Sequence, residues 1–555
     1  MALTKVSHGM LKGESVSVLD FGAVGDGTTD DSVAIQSALD SGAREVIIPS
    51  ICLITAKLTI DASIIVKGPG GLKRTAVGPG TISEVGAGAV FEINADDVEI
   101  NGVQFIGSQA GSTIATVNYA DAVIWVPGTD STDPLFNIKV VNCHIDGFAG
   151  IAIDIRYTEN AWVQNNTILN CGYAGILYES VINGSITNNV VDNIGAGSGA
   201  VNFYGISLSR NPNGTLASDA PTTNVVVSGN QVSNVFDWTG LDSHAAYKSQ
   251  YVNNVVTGCP IGINIQYDAT SGTSPSPARD ILVDGNIIYG HETLNTNRAG
   301  IASIGIYPSN PNENITITNN ILVGCGTWGG AGISERGSIS LTDTKFGVVK
   351  NNTIEKSIRF GMVVGNASTD CIVEGNEVNG VIDGAAAAIY LATNLTDLER
   401  IEISKNNFTN QTGDSDYDPT YGISYQGSSA TTVFSKNRLP ASLTGKLYRG
   451  SDGTVNIYTD LSWELEEESI FYPYSASGGS PTEAVGSLTS QFRRLPNTTG
   501  TYILSAFAAT TNAAVGATPT GSPPTSITLN RYDGGNILGG TYNISFSLRG
   551  IYWQD

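Results

Sequence analysis

Short runs in which apolar and polar residues alternate, each closing on asparagine, recur down most of the chain. They read IKVVN to Asn142, AWVQNN to Asn166, GSITNN to Asn189, VVVSGN to Asn230, SQYVNN to Asn254, ILVDGN to Asn286 and ITITNN to Asn320. GVVKNN to Asn352, CIVEGN to Asn376, IEISKNN to Asn407 and TVFSKN to Asn437 follow. Alternation with period two predicts a strand, and the polar close predicts a bend before the next strand. Spacings of 23 and 24 residues recur, and the longer ones, 30 to 34 and one of 41, read as the same unit with a loop inserted. A repeat this short predicts a three-faced β-solenoid, whose stacked coils bury a continuous column of Ile and Val. Asparagine suits the bend because it tolerates the left-handed backbone region and its amide can bond the same asparagine one coil up. The expected fold is all-β, a right-handed parallel β-helix over residues 61–440.

The ends depart from this pattern. Residues 1–14 form a short neck before the pattern begins. In residues 15–60, DSVAIQSALDSG has helical apolar spacing at Val33, Ile35 and Leu39, a stop at Gly42, and Asp30 or a nearby Thr as N-cap. A short helix there would cap the open end of the solenoid, with Asp26, Asp30 and Asp31 at its positive end. Residues 441–555 lose the asparagine repeat. Their strand-like runs, TVNIYT, TYILSAF, TSITLNRY and TYNISFSLRGIYW, predict a separate β-sandwich-like domain.

Charge narrows the function. The formal net charge is −23 with no basic cluster, which argues against nucleic acid and gives no pull toward an anionic membrane. It also disfavours a polyanionic substrate. The six cysteines form no C-x-x-C pair, so no metal site is expected, and scattered single cysteines read as small buried residues. Met1–Lys12 has no continuous apolar stretch of a signal peptide, and no run of 18 apolar residues predicts membrane insertion.

The stretch LDFGAVGDGTTDDSVAIQSAL followed by VIIP, within Val18–Ile48, resembles the opening signature of the pectate-lyase-like superfamily found in bacteriophage tailspikes. That resemblance implies a homotrimer of parallel β-helices acting on bacterial surface polysaccharide (O-antigen, capsule or exopolysaccharide). It implies a place on the virion tail, with other phage tail proteins as further partners. A secreted bacterial enzyme is the alternative. No cofactor is implied.

Stacked coils place equal positions above one another, so aligned strand starts locate a site. Gly150-Ile151, Gly175-Ile176, Gly205-Ile206, Gly240-Leu241, Gly262-Ile263, Gly332-Ile333, Gly361-Met362 and Gly422-Ile423 share one pattern, with outward residues two and four after each glycine. The fourth-position column then reads Asp154, Glu179, Ser209, His244, Gln266 and Arg336, with Asp242 and Asn264 in the second. Glycoside hydrolysis needs one protonated and one ionised carboxyl group. Glu179 is the expected acid, Asp242 the base, Asp154 the residue that tunes Glu179, and His244 a substrate ligand or the residue that orients Asp242. Two coils between Glu179 and Asp242 suit inversion, while one coil between Asp154 and Glu179 suits retention. Trp238, Tyr178 and Tyr267 are candidates to stack on sugar rings, with Arg210, Arg336 and Asp237 as further substrate contacts.

A lyase of the same fold is the second reading, with His244, Tyr247, Lys248, Arg210 and Arg336 as base and carboxylate-neutralising cations. A trimeric adhesin that binds glycan without cutting is the third. Asp414, Asp416 and Asp418 have spacing open to calcium, but the loop lacks the glycine and glutamate of an EF-hand.

Overall fold

The computed structural model describes residues 15–75, 88–112, 122–195, 202–210, 219–268, 276–291, 299–304, 310–326, 337–381, 387–392, 398–409, 421–426, 429–435 and 437. Beyond these it describes the backbone of strands within 454–458, 468–476, 482–484, 502–509, 514–521, 524–531 and 540–550. Gly332-Ile333, Arg336 and Asp414, Asp416 and Asp418 lie outside the described residues. Two compact units are present, Met1–Ser340 and Leu341–Asp555.

The first unit is a right-handed parallel β-helix. A typical coil consists of the strands Ile151–Arg156, Thr158–Gln164 and Thr167–Cys171, and the next repeats them as Ala174–Glu179, Ile182–Thr187 and Val190–Ile194. Every pairing between them is parallel. Stacked columns from all three sheets fill the core, and three of them, one from each sheet, serve as examples. Ile153, Ile176, Ile206, Leu241 and Ile263 line one, Val163, Ile186, Val227 and Tyr251 the second, and Ile168, Val191, Val232 and Val256 the third, all essentially without solvent contact. Alternation along each strand sends the intervening residues outward.

The repeated Asn-Asn doublet divides two tasks between its members. The first residue takes the left-handed conformation (Asn165 φ 57°, Asn188 φ 56°, Asn253 φ 55°), with glycine serving at Gly229 and Gly285. The second forms a buried ladder. Asn166 Nδ2 donates to Asn189 Oδ1, Asn189 to Asn230, and Asn230 to Asn254, each at 2.9 Å, and Asn254 to Asn286 at 3.0 Å. Each Oδ1 also accepts the backbone N–H of the asparagine below. Two repeat positions shift accordingly. Asn142 is the left-handed residue, with Cys143 in the ladder position, where its N–H donates to Asn166 Oδ1. In the second unit Asn406, not Asn407, links Asn376 to Asn437. The asparagine bend holds two residues in every coil from Asn165-Asn166 to Asn319-Asn320, whereas bonded ladder partners lie 23 to 41 residues apart. All the variation in coil length therefore falls at the other bends.

The strand-start glycines face a tight corner. A Cβ on Gly205 would sit 2.4 Å from both the Gly240 carbonyl oxygen and Val232 Cγ1. The same holds along the column of Gly175, Gly240, Gly262 and Gly300. Ala152-Ile153, rather than Gly150-Ile151, occupies this place in its coil, because Ile153 pairs with Ile176 and Ile151 with Ala174.

The cap helix spans Ser32–Leu39 and buries Ile35, Ala38 and Leu39, while Val33 faces solvent. Its N-cap is Asp31, whose carboxylate bonds the Val24 and Gly25 N–H groups instead of the helix. Asp30 accepts from Ser32 N–H. All six cysteines are buried and free. Among the described residues no helix is long and apolar enough to cross a membrane, and no cluster of three metal-ligating side chains occurs.

The second unit continues the parallel pattern in three sheets, for example Phe360–Gly365 with Ala387–Ala392 and Tyr421–Gln426. Thr454–Tyr458 pairs in parallel with Ser429–Ser435. Its last part is a six-stranded antiparallel sheet in the order Glu468–Ala476, Gly540–Gly550, Tyr502–Ala509, Ala514–Gly521, Pro524–Arg531 and Thr482–Ala484.

Asn230→Ala tests the ladder. It strands the Asn189 N–H and the Ile186 carbonyl in a dry interior, at roughly 1–3 kcal/mol each. Chemical denaturation is expected to show a loss of about 2–4 kcal/mol. Exposed Gln231→Ala, one residue on, is expected to stay within about 0.5 kcal/mol.

Candidate active site

Seven adjacent strands present one outer face. They are Ala122–Val126, Ile151–Arg156, Ala174–Glu179, Tyr204–Ser209, Thr239–His244, Ile261–Gln266 and Ala299–Ile304. Their register sets the outward columns. One runs Trp125, Asp154, Leu177, Ser207, Asp242, Asn264, Ala302. The next runs Arg156, Glu179, Ser209, then His244, Gln266, Ile304 one strand on. Asp154 thus belongs to the column of Asp242, not that of Glu179. Gly150-Ile151 imitates the corner pair two residues early, and the residue opposite Glu179 is Arg156.

Arg156 joins the first two carboxylates. Its Nη2 lies 2.7 Å from Asp154 Oδ2 and its Nη1 3.0 Å from Glu179 Oε2. Its Nε also donates to both Asp154 oxygens at 3.1 Å. Asp154 has no solvent contact and Glu179 little. Burial raises the Glu179 pKa to about 7. Arg156 opposes this, Asp154 and Asp219 add to it, and His244 opposes it weakly. Asp219 accepts a hydrogen bond from the Tyr157 hydroxyl, and Arg210 Nε lies 2.6 Å from Asp268 Oδ2.

Asp242 is fully enclosed, and both of its oxygens are engaged. Oδ2 meets His244 Nδ1 at 2.6 Å and accepts from Ser207 Oγ at 3.1 Å. Oδ1 accepts from Gln266 Nε2 at 3.0 Å and from Asn264 Nδ2 at 3.4 Å. The core residue Tyr251 donates its hydroxyl to the Asp242 carbonyl from the other side of the sheet. His244 is the partly exposed member of the pair. Burial works against its charged form, but the charge and hydrogen bond of Asp242, then Asp268 and Glu179, leave its pKa raised. Asp242 is thus the enclosed partner of the pair, held by four side chains, and His244 the one open to solvent.

An aromatic and apolar strip borders these groups. Ile151, Ala174, Leu177 and Tyr204 cluster with Trp125, Tyr173 and Trp238 packed against them, and Trp238 also covers Ile261 and Ala299. Tyr204 meets Tyr173 and His244 edge-on, with ring centroids 5.8 and 5.6 Å apart.

Of the sequence candidates, Asp154, Glu179, Asp242, His244 and Trp238 come together. Tyr267 stands half-buried just after Gln266, and exposed Asp237 precedes Trp238 in its turn. Two candidates fall elsewhere. Tyr178 lies inside the core in the column of Ile155 and Leu208, because the third position after glycine points inward, so it meets no sugar. Arg210 is enclosed against Asp268 and presents no open cation. Tyr247 and Lys248 of the lyase reading sit at the bend beyond the strand, where the Tyr247 hydroxyl meets Ser276 Oγ.

Sequence reasoning missed Arg156, Tyr204, Asp219 and Asp268. Aligning IAIDIR with AGILYE from their inward residues would have found Arg156. Asp219 and Asp268 follow no repeat.

The family described as right handed beta helix region matches residues 124–276. No curated protein matches the chain. Among solved structures the chain is similar to a mutant tailspike protein of E. coli bacteriophage HK620 in complex with pentasaccharide. The identity is 13% and the TM-score 0.55, over 96% of this chain and 93% of that one. It is also similar to the catalytic unit of a GH87 alpha-1,3-glucanase from Streptomyces thermodiastaticus, with 18% identity, TM-score 0.47 and coverage of 80% and 68%. A Yersinia enterocolitica family 28 exopolygalacturonase gives 13%, 0.45, 80% and 79%. At these identities the likeness is one of fold.

Two predictions follow from the charge pairing. Folding favours protonated Glu179, so the folded chain holds more protons than the unfolded one between pH 4.5 and about 7. Its contribution to stability is therefore lost as pH rises through that window. Glu179→Gln is expected to flatten this part of the pH dependence of thermal unfolding. Arg156→Met leaves two buried carboxylates unpaired and is expected to cost about 3–5 kcal/mol at neutral pH, partly recovered on acidification.

Proposed function

We propose that the chain is a carbohydrate-active enzyme that binds a bacterial surface polysaccharide on this strip and hydrolyses it internally. Glu179 is the general acid. The Asp242–His244 pair is the base that takes a proton from the attacking water, with Asp242 holding the ring and stabilising its charge. The observation that carries the proposal is the state of Glu179. It is a carboxyl group shielded until its pKa reaches about 7, so it keeps a proton at the pH where it must donate one.

The strand of Glu179 and the strand of Asp242 flank Tyr204–Ser209. Two strand steps separate their backbones by about 9–10 Å, near the upper end of the separation that leaves room for water in an inverting reaction. Trp125, Tyr173, Tyr204 and Trp238 offer apolar faces that match those of pyranose rings. The tailspike comparison, with its pentasaccharide, supports a saccharide ligand. Trimeric assembly and a place on a virion tail belong to the same proposal, through the resemblance of Val18–Ile48 to tailspike sequences. Among the described residues, Arg156 on the strip and the enclosed Arg210 each face carboxylates, which favours hydrolysis of a largely neutral glycan over elimination from a uronate.

The test measures reducing-end release and ultraviolet absorbance in parallel over a panel of bacterial surface polysaccharides. Wild type is expected to release reducing ends without absorbance. Glu179→Gln and Asp242→Asn, with unchanged circular dichroism, are each expected to lose roughly a hundred- to ten-thousand-fold of that rate. Absorbance from an unsaturated product would replace hydrolysis with elimination. Full activity in both variants would move the site to another face. Retained binding without cleavage by wild type would make the chain an adhesin.

A further inference from the structure

His244 meets two partners at 2.6 Å, one on each ring nitrogen. Nδ1 faces Asp242 Oδ2, and Nε2 faces the Gln266 side-chain nitrogen. That nitrogen also lies 3.0 Å from Asp242 Oδ1. We propose that Gln266 is a positioning residue that opposes protonation of His244 Nε2 and keeps the one proton of the neutral ring on Nδ1.

The argument is a matter of donors and acceptors. An ionised carboxylate only accepts, and an amide nitrogen only donates. The part of Gln266 that faces Asp242 Oδ1 must therefore be its NH₂ group, as hydrogen-bond networks assign such amides. The same NH₂ group points at His244 Nε2, which must then accept and carry no proton. A protonated Nε2 would set donor against donor at 2.6 Å. Turning the amide over would satisfy that proton, but it would place the Gln266 oxygen 3.0 Å from Asp242 Oδ1, acceptor against acceptor. Gln266 can serve Asp242 or an imidazolium, not both. The proton on Nδ1 is fixed from the other side by Asp242 Oδ2.

Other groups facing the ring pull the opposite way. Asp242 on its own strand, Asp268 beyond the next strand and Glu179 two strands back all favour the imidazolium. Arg156 and Arg210 stand behind Glu179 and Asp268 and temper them. Tyr204 contributes only its ring edge. Gln266 is the neutral counterweight that offers Nε2 a hydrogen rather than a charge. Its functional meaning rests on the hydrolase proposal. A base must have a bare Nε2, and a water or sugar hydroxyl entering the site takes over the contact that Gln266 makes.

The tautomer can be read without any substrate. Two-bond proton–nitrogen correlation spectra of the full chain, labelled in its four histidines, are recorded across pH, with His244 assigned by its loss in His244→Asn. Once the ring has lost its second proton on the alkaline side of its titration, the His244 signals are expected to show a bare Nε2 and a protonated Nδ1. Gln266→Met removes the opposing N–H and is expected to raise the proton affinity of His244 about tenfold, one pKa unit. A neutral wild-type ring with its proton on Nε2 would overturn the proposal. So would a folded Gln266→Met variant whose His244 affinity falls or stays the same, since an amide acting through its oxygen, or one that merely fills space, gives those results. If the variant fails to fold, the wild-type spectrum decides alone. A chain that cleaves no glycan but shows this tautomer would lose the hydrolase reading and keep this one.

Discussion

Parallel hydrogen bonding between coils fixes which way each strand side chain of the β-helix faces, and the buried asparagine ladder holds that pairing in register. A parallel strand pair can slip by two residues and still keep its apolar residues inside. A ladder amide cannot follow such a slip. Asn189, Asn230 and Asn254 each use both ends of the carboxamide on fixed partners in adjacent coils. A shifted coil would bury several unsatisfied polar groups at once. Register, in turn, decides which outward residues become neighbours.

On that fixed grid the protein buries an unusual concentration of charge. Asp154, Glu179, Asp242 and Asp268 are all shielded from water. Isolated charges could not be held there. Each carboxylate is answered by a cation or by several donors: Arg156 for two of them, Arg210 for Asp268, and His244, Ser207, Asn264 and Gln266 for Asp242. Such pairing adds little to stability compared with apolar packing. Its effect is to hold Glu179 and His244 where their surroundings shift their affinity for a proton.

The sequence made the periodic features plain and hid the rest. The asparagine repeat and the alternation identified the coils, because both are spaced along the chain as the fold requires. The corner glycines aligned Glu179, Asp242 and His244 correctly, since no side chain fits there. Asp154 went astray because Ala152 replaces the corner glycine while a different glycine stands two residues earlier. Tyr178 and Tyr204 differ only in which side of the sheet they face, and an aromatic residue suits either side. Asp219 and Asp268 lie at irregular bends, where neighbours in space have no fixed interval in sequence.

The two-residue asparagine bend keeps its length in every coil from Asn165-Asn166 to Asn319-Asn320, whereas the bends on either side of the site sheet accept insertions, from the shortest of these coils to the longest. Constant register and variable length are thus carried by different corners of the same triangle. An inserted or exchanged segment beside the Tyr204–Ser209 or Ile261–Gln266 strand leaves the ladder contacts untouched. Under the function proposed above, recombining short segments at these bends changes what the site sheet accepts, while the scaffold beneath is inherited intact.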